Sequence, residues 1–363
     1  MESARLVFSF FYRLLRLFLN AVDPYLSRIG IRIVEKPPET VEELLNRISV
    51  KWGTLPTFTS NRLWQERLQS LLYQLKLAPS RGVTPFEVWV AYKALLAQVR
   101  ALYCLELIPR QFPAISIPSV SRPIFVFGLP RSRSTLLIRF LSLHPNVFCL
   151  PDSLSQLGEI TPDDVKKATS IDDLRRRVQI ALRDVDFKKE FISDSGSPIA
   201  KGIHPLGLSD PEECPTELNK YLLYYHLPFI RGQNFIDAVT NYDDLVDRTY
   251  ASYKRDLLVM RSISDSPEVA SDKRTRFVLK APFHSSFSDA ILHHFPDACF
   301  VRVHRDPATS IASLASLVLA AQTGRNRNDS FTIGRQCYEL IGTRIRAMRI
   351  KSDWSIRMRC TEI

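Results

Sequence analysis

The chain has 363 residues, of which 45% are hydrophobic and 24% are charged, a balance that is typical of globular proteins and excludes a mainly disordered or collagen-like chain. Lysine and arginine total 49 against 38 aspartates and glutamates, so the net charge is +11 at pH 7. This surplus favours anionic partners, including nucleotides, nucleic acids, sulfated molecules and acidic lipids, and does not choose between them.

The six cysteines are widely spaced, and none belongs to a CxxC pair or to a Cys/His cluster with zinc-like spacing. Zinc sites and disulfide-rich folds both require closely grouped cysteines. We therefore expect no metal site, and we predict buried thiols in a reducing compartment, which places the chain in the cytoplasm.

The N-terminal 22 residues have the pattern of an amphipathic helix. Their uncharged apolar core is too short to span a membrane, and no small-residue cleavage site follows it. At about 100° per residue, one narrow arc of the helix carries the polar residues Arg5, Ser9, Arg13, Arg16 and Asn20. Two interpretations stay open. Residues 4–22 either associate with an anionic membrane surface or pack into the domain with one polar stripe facing water.

Residues 1–120 are predicted to form a helical N-terminal region. Leucines recur at helical spacing in three segments, 41–50, 62–76 and 85–107. Prolines separate these segments, as expected of connections between short helices.

The pattern changes near residue 121, where a second region begins that extends to residue 363. Short apolar runs at 124–127, 276–279 and 299–303 are typical of buried parallel strands. Helical patterns follow them at residues 134–143, 285–294 and 308–319. Strands that alternate with helices predict an α/β fold, a three-layer αβα arrangement around a parallel sheet.

The segment 128–135, GLPRSRST, lies where the first predicted strand gives way to a helix. Unpaired backbone N–H groups and the positive end of the helix dipole meet at such a junction and favour an oxyanion. Hydroxyl groups at Ser132, Ser134 and Thr135 add donors, and Arg131 adds a charge with forked donor geometry. A Walker A loop would carry glycine and lysine where this chain has Arg133 and Ser134, which disfavours an ATPase, a GTPase or a nucleotide kinase.

The segment FVFGLPRSRSTLL resembles the 5′-phosphosulfate loop of the P-loop sulfotransferases, G-x-P-[RK]-S-G-T-T. These enzymes have a P-loop NTPase-like fold and move a sulfuryl group from 3′-phosphoadenosine 5′-phosphosulfate (PAPS) to a hydroxyl or amine. The resemblance implies a donor-binding loop formed by Arg131, Ser132, Arg133, Ser134 and Thr135. The family glycine is Arg133 here, and its side chain either crowds the loop, if φ must be positive, or supplies a second cation.

A second block, RFVLKAPFHSSFSDAILHHFPDACFVRVHRDPATSIASLASLV, is similar to the other core motif of the same family. That motif has a strand ending in Lys-x-Pro, a helix, a second strand, an Arg-Asp-Pro turn and a serine eight residues after the arginine. Arg305 and Ser313 have this spacing. The resemblance implies that they hold the 3′-phosphate of PAPS, at the edge of the sheet where open α/β folds bind ligands.

The transfer chemistry needs cations near the sulfuryl group and a base for the acceptor proton. Arg131 and Lys280 are the candidate cations, and Lys280 matches the family's sulfonate-contacting lysine. Two candidates for the base stay open. Asp152 occupies the place of a glutamate in the tyrosylprotein branch of the family, one methylene shorter, and His284 follows Lys280 by four residues. No metal is implied.

The C-terminal residues 352–363 lack the Asp-Leu-x-x-[DN]-Pro helix start that family members usually carry, so we expect a shortened C-terminal end. The leading hypothesis is a PAPS-dependent sulfotransferase whose acceptor the sequence does not reveal. The alternative is a catalytically impaired relative that binds a nucleotide or anion only. A nucleic-acid partner would rest on charge alone and is not expected.

Overall fold

The structure of the chain is a computed structural model. It covers residues 36–81, 83–113, 120–151, 160–181, 243–264, 276–322 and 330–350, with shorter pieces at 17–18, 21, 154, 157, 211, 214 and 218–222. Most of the predicted helix at 4–22, the candidate base Asp152 and the C-terminal residues 351–363 lie outside the described residues.

The predicted helical N-terminal region is confirmed by three helices, α1 (Val41–Trp52), α2 (Arg62–Leu77) and α3 (Pro85–Gln111). A threonine or asparagine precedes each helix, and its side chain accepts a hydrogen bond from a backbone N–H in the first turn. At α3 this cap is a complete capping box, in which Thr84 and Glu87 satisfy each other's backbone N–H groups. The helices begin where they do because these caps replace the missing intrahelical partners.

Helix α3 is, within the described part of the chain, the one helix long and apolar enough to cross a membrane. More than half of its apolar window, 56%, is buried inside the protein. Leu95, Val99 and Leu102 on this helix are fully buried. The helix therefore has the burial of a core helix in a globular protein.

The second region alternates strands and helices, which confirms the predicted α/β class. Its elements are β1 (Ile124–Gly128), α4 (Ser134–Leu141), β2 (Val147–Cys149), α5 (Pro162–Lys167), α6 (171–181), α7 (Asp243–Ser264), β3 (Arg276–Lys280), α8 (Ser288–His294), β4 (Cys299–Val303), α9 (Pro307–Gln322) and α10 (Ser330–Ile350).

The four strands form one parallel sheet in the order β2–β3–β1–β4. Alternate residues of β1 face opposite sides, and all five of its residues are buried. Phe125 and Phe127 belong to the large core cluster that also contains the N-terminal helices, whereas Ile124 and Val126 pack with Ile138 of α4. Helices therefore cover both faces of the sheet, in three layers, and one contiguous core joins the helical region to the sheet.

Strand β1 lies at a reversal in strand order. The chain leaves β1 towards β2 on one side, and the connection from β3 to β4 passes to the other side of β1. In open α/β folds, ligands bind in the crevice beyond the carboxyl ends of the strands at this kind of switch point. The loop after β1 and the turn after β4 therefore meet at the edge where a ligand site is expected.

Gly128 is the last residue of β1, and the structure leaves no room for a side chain at this position. It pairs with Val303 of β4, and a Cβ atom on residue 128 would lie 2.4 Å from the Val303 carbonyl oxygen. The nearest neighbours of such a Cβ are the β4 backbone and the Ser132 hydroxyl, and the backbone cannot move aside as a flexible side chain would. The glycine therefore lets the first residues of the loop approach the end of β4.

We predict that Gly128→Ala lowers the free energy of unfolding by about 1–3 kcal/mol, because the added methyl overlaps the β4 backbone. Urea denaturation followed by circular dichroism measures this change. Gly334→Ala in α10 is the matched control, since a Cβ there meets nothing within 4 Å and alanine favours a helix. Equal stability of the Gly128→Ala variant and the wild type would contradict the close packing.

Candidate functional site

The loop between β1 and α4 has an unusual backbone. Arg131 and Arg133 have φ angles of 65° and 67°, in the left-handed region that favours glycine. The Ser132 N–H donates to the Leu129 carbonyl at 3.2 Å, which closes the turn. Arg133 is the N-cap residue of α4, and its side chain is exposed. The arginine at the family's glycine position thus adopts a positive φ, and its side chain points to solvent instead of filling the loop.

Two hydroxyls of the loop lie buried at the start of α4. Ser132 is buried, and its Oγ has no hydrogen-bond partner among the residues that the structure describes. Ser134 is also buried, at the first position of α4, where the backbone N–H groups lack intrahelical partners. A buried hydroxyl without a partner is uncommon in native proteins and is readily satisfied by a ligand oxygen. The loop therefore offers donors to an oxyanion.

Two distant parts of the sequence meet at Arg131. Its Nε donates to the Ser313 hydroxyl at 3.2 Å. The Arg305 guanidinium donates to the Arg131 carbonyl oxygen. The structure thus brings together the first loop and the two residues that the sequence singled out in the second block.

Arg305 has a fixed position because the next residue starts a helix. The Asp306 carboxylate accepts hydrogen bonds from the Thr309 backbone N–H at 2.7 Å and from the Thr309 hydroxyl at 2.6 Å. These hydrogen bonds lower the pKa of Asp306, and they cap α9 immediately after the arginine. The Arg-Asp-Pro turn therefore holds the Arg305 backbone between β4 and α9.

Lys280 approaches the loop from the other neighbour of β1. It ends β3 and is 1% exposed, and its Nζ donates to the Thr135 hydroxyl at 2.9 Å. Its backbone is held by Cys214, whose N–H donates to the Lys280 carbonyl at 2.8 Å and whose sulfur accepts from the Lys280 N–H at 3.1 Å. Cys214 extends the hydrogen bonding of the sheet beyond the end of β2, and sequence reasoning did not assign it this role.

His284 lies in the core instead of at a solvent-accessible position. It is 0% exposed, its Nδ1 is 2.8 Å from the Tyr250 hydroxyl, and its ring packs edge to face on Phe125. Its Nε2 has no hydrogen-bond partner in the described part of the chain. Burial lowers the pKa of His284 to about 3. The imidazole is therefore neutral at pH 7 and a weak proton acceptor.

The fold defines the structural class of the protein. Sulfotransferase STF1 from Mycobacterium tuberculosis H37Rv matches with a TM-score of 0.63 and 23% identity, over 88% of this chain and 82% of that chain. Sulfotransferase STF9 from Mycobacterium avium matches with a TM-score of 0.63 and 19% identity, over 88% of this chain and 77% of that chain. The chain has the sulfotransferase fold.

The sequence also identifies the family. The profile of the sulfotransferase family matches residues 123–362. The chain belongs to the sulfotransferase family, which confirms the resemblance carried by its two motifs. None of the curated proteins compared with the chain gives a significant match.

We predict that Arg133→Gly is more stable than Arg133→Ala by about 1 kcal/mol, because alanine keeps the cost of a left-handed backbone and glycine removes it. Both variants lose the same charge, so their difference in the free energy of unfolding reports on the backbone alone. Urea denaturation measures it. If the alanine variant is the more stable of the two, residue 133 does not have a positive φ in solution.

The burial of His284 predicts a specific pH dependence of stability. The unfolded chain takes up a proton at this imidazole near its ordinary pKa of 6.5, whereas the folded chain does so only near 3. Above pH 6.5, His284 therefore does not change the free energy of unfolding. Between pH 6.5 and about 3, it lowers the free energy of unfolding by up to about 1.4 kcal/mol for each unit by which the pH falls.

Urea denaturation of the wild type and of His284→Gln between pH 7 and pH 4.5 checks this prediction. The glutamine variant is expected to have a shallower slope whatever its stability at pH 7. His144→Gln is the control, because His144 is exposed, and it is expected to keep the wild-type slope. Identical slopes for all three proteins would contradict the buried neutral state.

Proposed function

We propose that the protein is a PAPS-dependent sulfotransferase that moves a sulfuryl group to a hydroxyl or amine acceptor. The observation that carries the proposal is the contact of Arg131 with both Ser313 and Arg305. These residues come from the two motifs that the family uses for the two ends of the donor, and they are neighbours at one edge of the sheet. The match to the sulfotransferase family also supports this proposed function.

The loop after β1 is proposed to bind the 5′-phosphosulfate end of PAPS. Its donors are the hydroxyls of Ser132, Ser134 and Thr135, the exposed guanidinium of Arg133 and the backbone N–H groups at the start of α4. The buried Ser132 hydroxyl, which lacks a partner in the described chain, would gain one from a phosphosulfate oxygen. Preformed donors of this kind bind an oxyanion without reorganisation of the loop.

Arg305 and Ser313 are proposed to bind the 3′-phosphate. In the structure, the Arg305 guanidinium donates to the neutral carbonyl oxygen of Arg131. Exchanging this carbonyl for a phosphate gives a charge-assisted hydrogen bond, which is roughly twice as strong. Because the Arg131 side chain also contacts Ser313, both ends of the donor would engage one connected group of side chains.

In the proposed transfer, the acceptor oxygen or nitrogen attacks sulfur in line with the donor's phosphate. The bond between sulfur and the bridging oxygen breaks, a bond between sulfur and the acceptor forms, and adenosine 3′,5′-bisphosphate leaves. Lys280 and Arg131 stabilise the charge on the bridging oxygen and the sulfuryl oxygens. The contact between the Lys280 ammonium and the Thr135 hydroxyl supports this role, because it holds the charge at the phosphosulfate loop.

The acceptor proton needs a base, and we assign this role to Asp152 in preference to His284. His284 is fully buried in the core, and burial lowers its pKa so that it is a poor proton acceptor. We assign it instead to the positioning of the turn after Lys280, through its bond with Tyr250.

Calorimetric titration with adenosine 3′,5′-bisphosphate tests the nucleotide site. We expect Arg305→Ala to weaken binding by about 10–100-fold, because a hydrogen bond to a charged group is worth about 1.5–3 kcal/mol. Arg335→Ala is the control, since Arg335 is exposed on α10 and pairs with Glu339. Tighter binding of ATP than of the bisphosphate would contradict the proposal.

Turnover of labelled PAPS tests the chemistry. We expect Lys280→Ala to lower the rate by about 10²–10³ while bisphosphate binding persists, because a cation that stabilises the transition state is lost. Strong bisphosphate binding without transfer to any hydroxyl or amine acceptor would instead favour the catalytically impaired relative.

A further inference from the structure

We propose that Asp247, His293 and His294 form a binding site for a divalent transition metal, with Zn²⁺ as the first candidate. The bound metal would link α7, which carries Asp247, to α8, which carries both histidines. The Asp247 Oδ1 is 2.9 Å from the His293 Nδ1 and 2.8 Å from the His294 Nε2. One ligand atom from each residue lies within 4.8 Å of the other two. None of these residues belongs to the proposed donor site, so the inference is independent of the proposed function.

The three side chains are the right chemical types for this metal. Zn²⁺ binds imidazole nitrogen and carboxylate oxygen at about 2.0–2.2 Å, and three protein ligands with one solvent position form a common zinc arrangement. A metal binds the neutral imidazole and the ionised carboxylate. In tetrahedral coordination the ligand atoms would be about 3.4 Å apart. Each imidazole nitrogen would therefore move about half an ångström away from the Asp247 oxygen, and the two nitrogens, which lie within 4.8 Å of each other, would take up the same spacing.

The surroundings allow this small movement. The side chains of His293 and Asp247 are 71% and 45% exposed, whereas that of His294 is 17% exposed. The carboxylate now receives hydrogen bonds from two imidazoles that are neighbours on one helix, with ring centroids 4.6 Å apart. These bonds already bring the three ligands together, and metal binding requires that each imidazole carry its proton on the ring nitrogen that faces away from the metal.

The end of α8, next to the cluster, is held in place by Lys254. The Lys254 ammonium donates to the His294 carbonyl at 2.8 Å and lies over the Phe295 ring at 5.5 Å. This contact fixes the end of α8 against α7. The same charge weakens cation binding, so we expect a site of moderate affinity whose effect is on stability.

The position of the cluster gives the metal a structural role. Helix α7 precedes β3, and α8 connects β3 to β4, at the end of which Arg305 lies. A metal held by one ligand from α7 and two from α8 would link these elements across the outside of the sheet. Because it binds the folded chain in preference to the unfolded chain, it would raise the melting temperature.

Titration of the full chain tests the site after treatment with EDTA and removal of the chelator. We expect calorimetry to give one Zn²⁺ per chain at this site, with a rise in melting temperature. Asp247→Asn and His293→Ala are each expected to weaken this binding by more than about 10-fold and to remove the rise. His293 is largely exposed, so its replacement leaves the fold intact.

Two controls separate this site from zinc held elsewhere, for example by thiols. Asp244→Asn changes a charge on the same helix, at an exposed residue that pairs with Arg248. His304→Ala removes an exposed histidine outside the cluster. Both are expected to bind Zn²⁺ as the wild type does. No binding by the wild type, or binding unchanged by Asp247→Asn and His293→Ala, would mean that the cluster is a hydrogen-bonded group only.

Discussion

The close backbone pairing of β1 with β4 at Gly128 is the constraint on which the candidate site depends. Gly128 lies opposite Val303, and each strand then turns away into its own loop. Two or three residues later on each chain segment, Arg131 and Arg305 meet through a backbone carbonyl. The close approach of the two strands at this glycine thus brings two motifs that are far apart in the sequence into contact, and their arginines form one cationic group.

The opposite neighbour of β1 contributes in the same way. Strand β3 places Lys280 beside Thr135. Cys214, through its backbone N–H and its sulfur, forms the hydrogen bonds to Lys280 that the short β2 cannot supply. The lysine is therefore fixed at its main chain as well as at its ammonium group. Rigid support of this kind is what electrostatic catalysis requires, because charges that are already in place need no reorganisation during the reaction.

The sequence predicted the elements with strong local patterns and missed those without them. The buried strands at 124–127, 276–279 and 299–303 and the N-terminal helices agree with the structure, because apolar spacing and prolines mark them locally. Strand β2 has only three residues, too few for a recognisable pattern. The contacts of Cys214 with Lys280 and of Tyr250 with His284 are tertiary, and no local sequence signal encodes them. The loop was recognisable from its residue types, but the positive φ of Arg133 and the complete burial of His284 follow from packing around them.

The single core that joins the helical region to the sheet has a consequence for how the molecule can be divided. The phenylalanine-bearing side of the sheet and the leucines of α1 to α3 belong to one contiguous apolar cluster. A fragment that began at residue 121 would present that aromatic side to water, where it would drive self-association. The helical region and the sheet thus share one packed interior, and the sheet that positions Arg131, Lys280 and Arg305 is covered on this side by the helices.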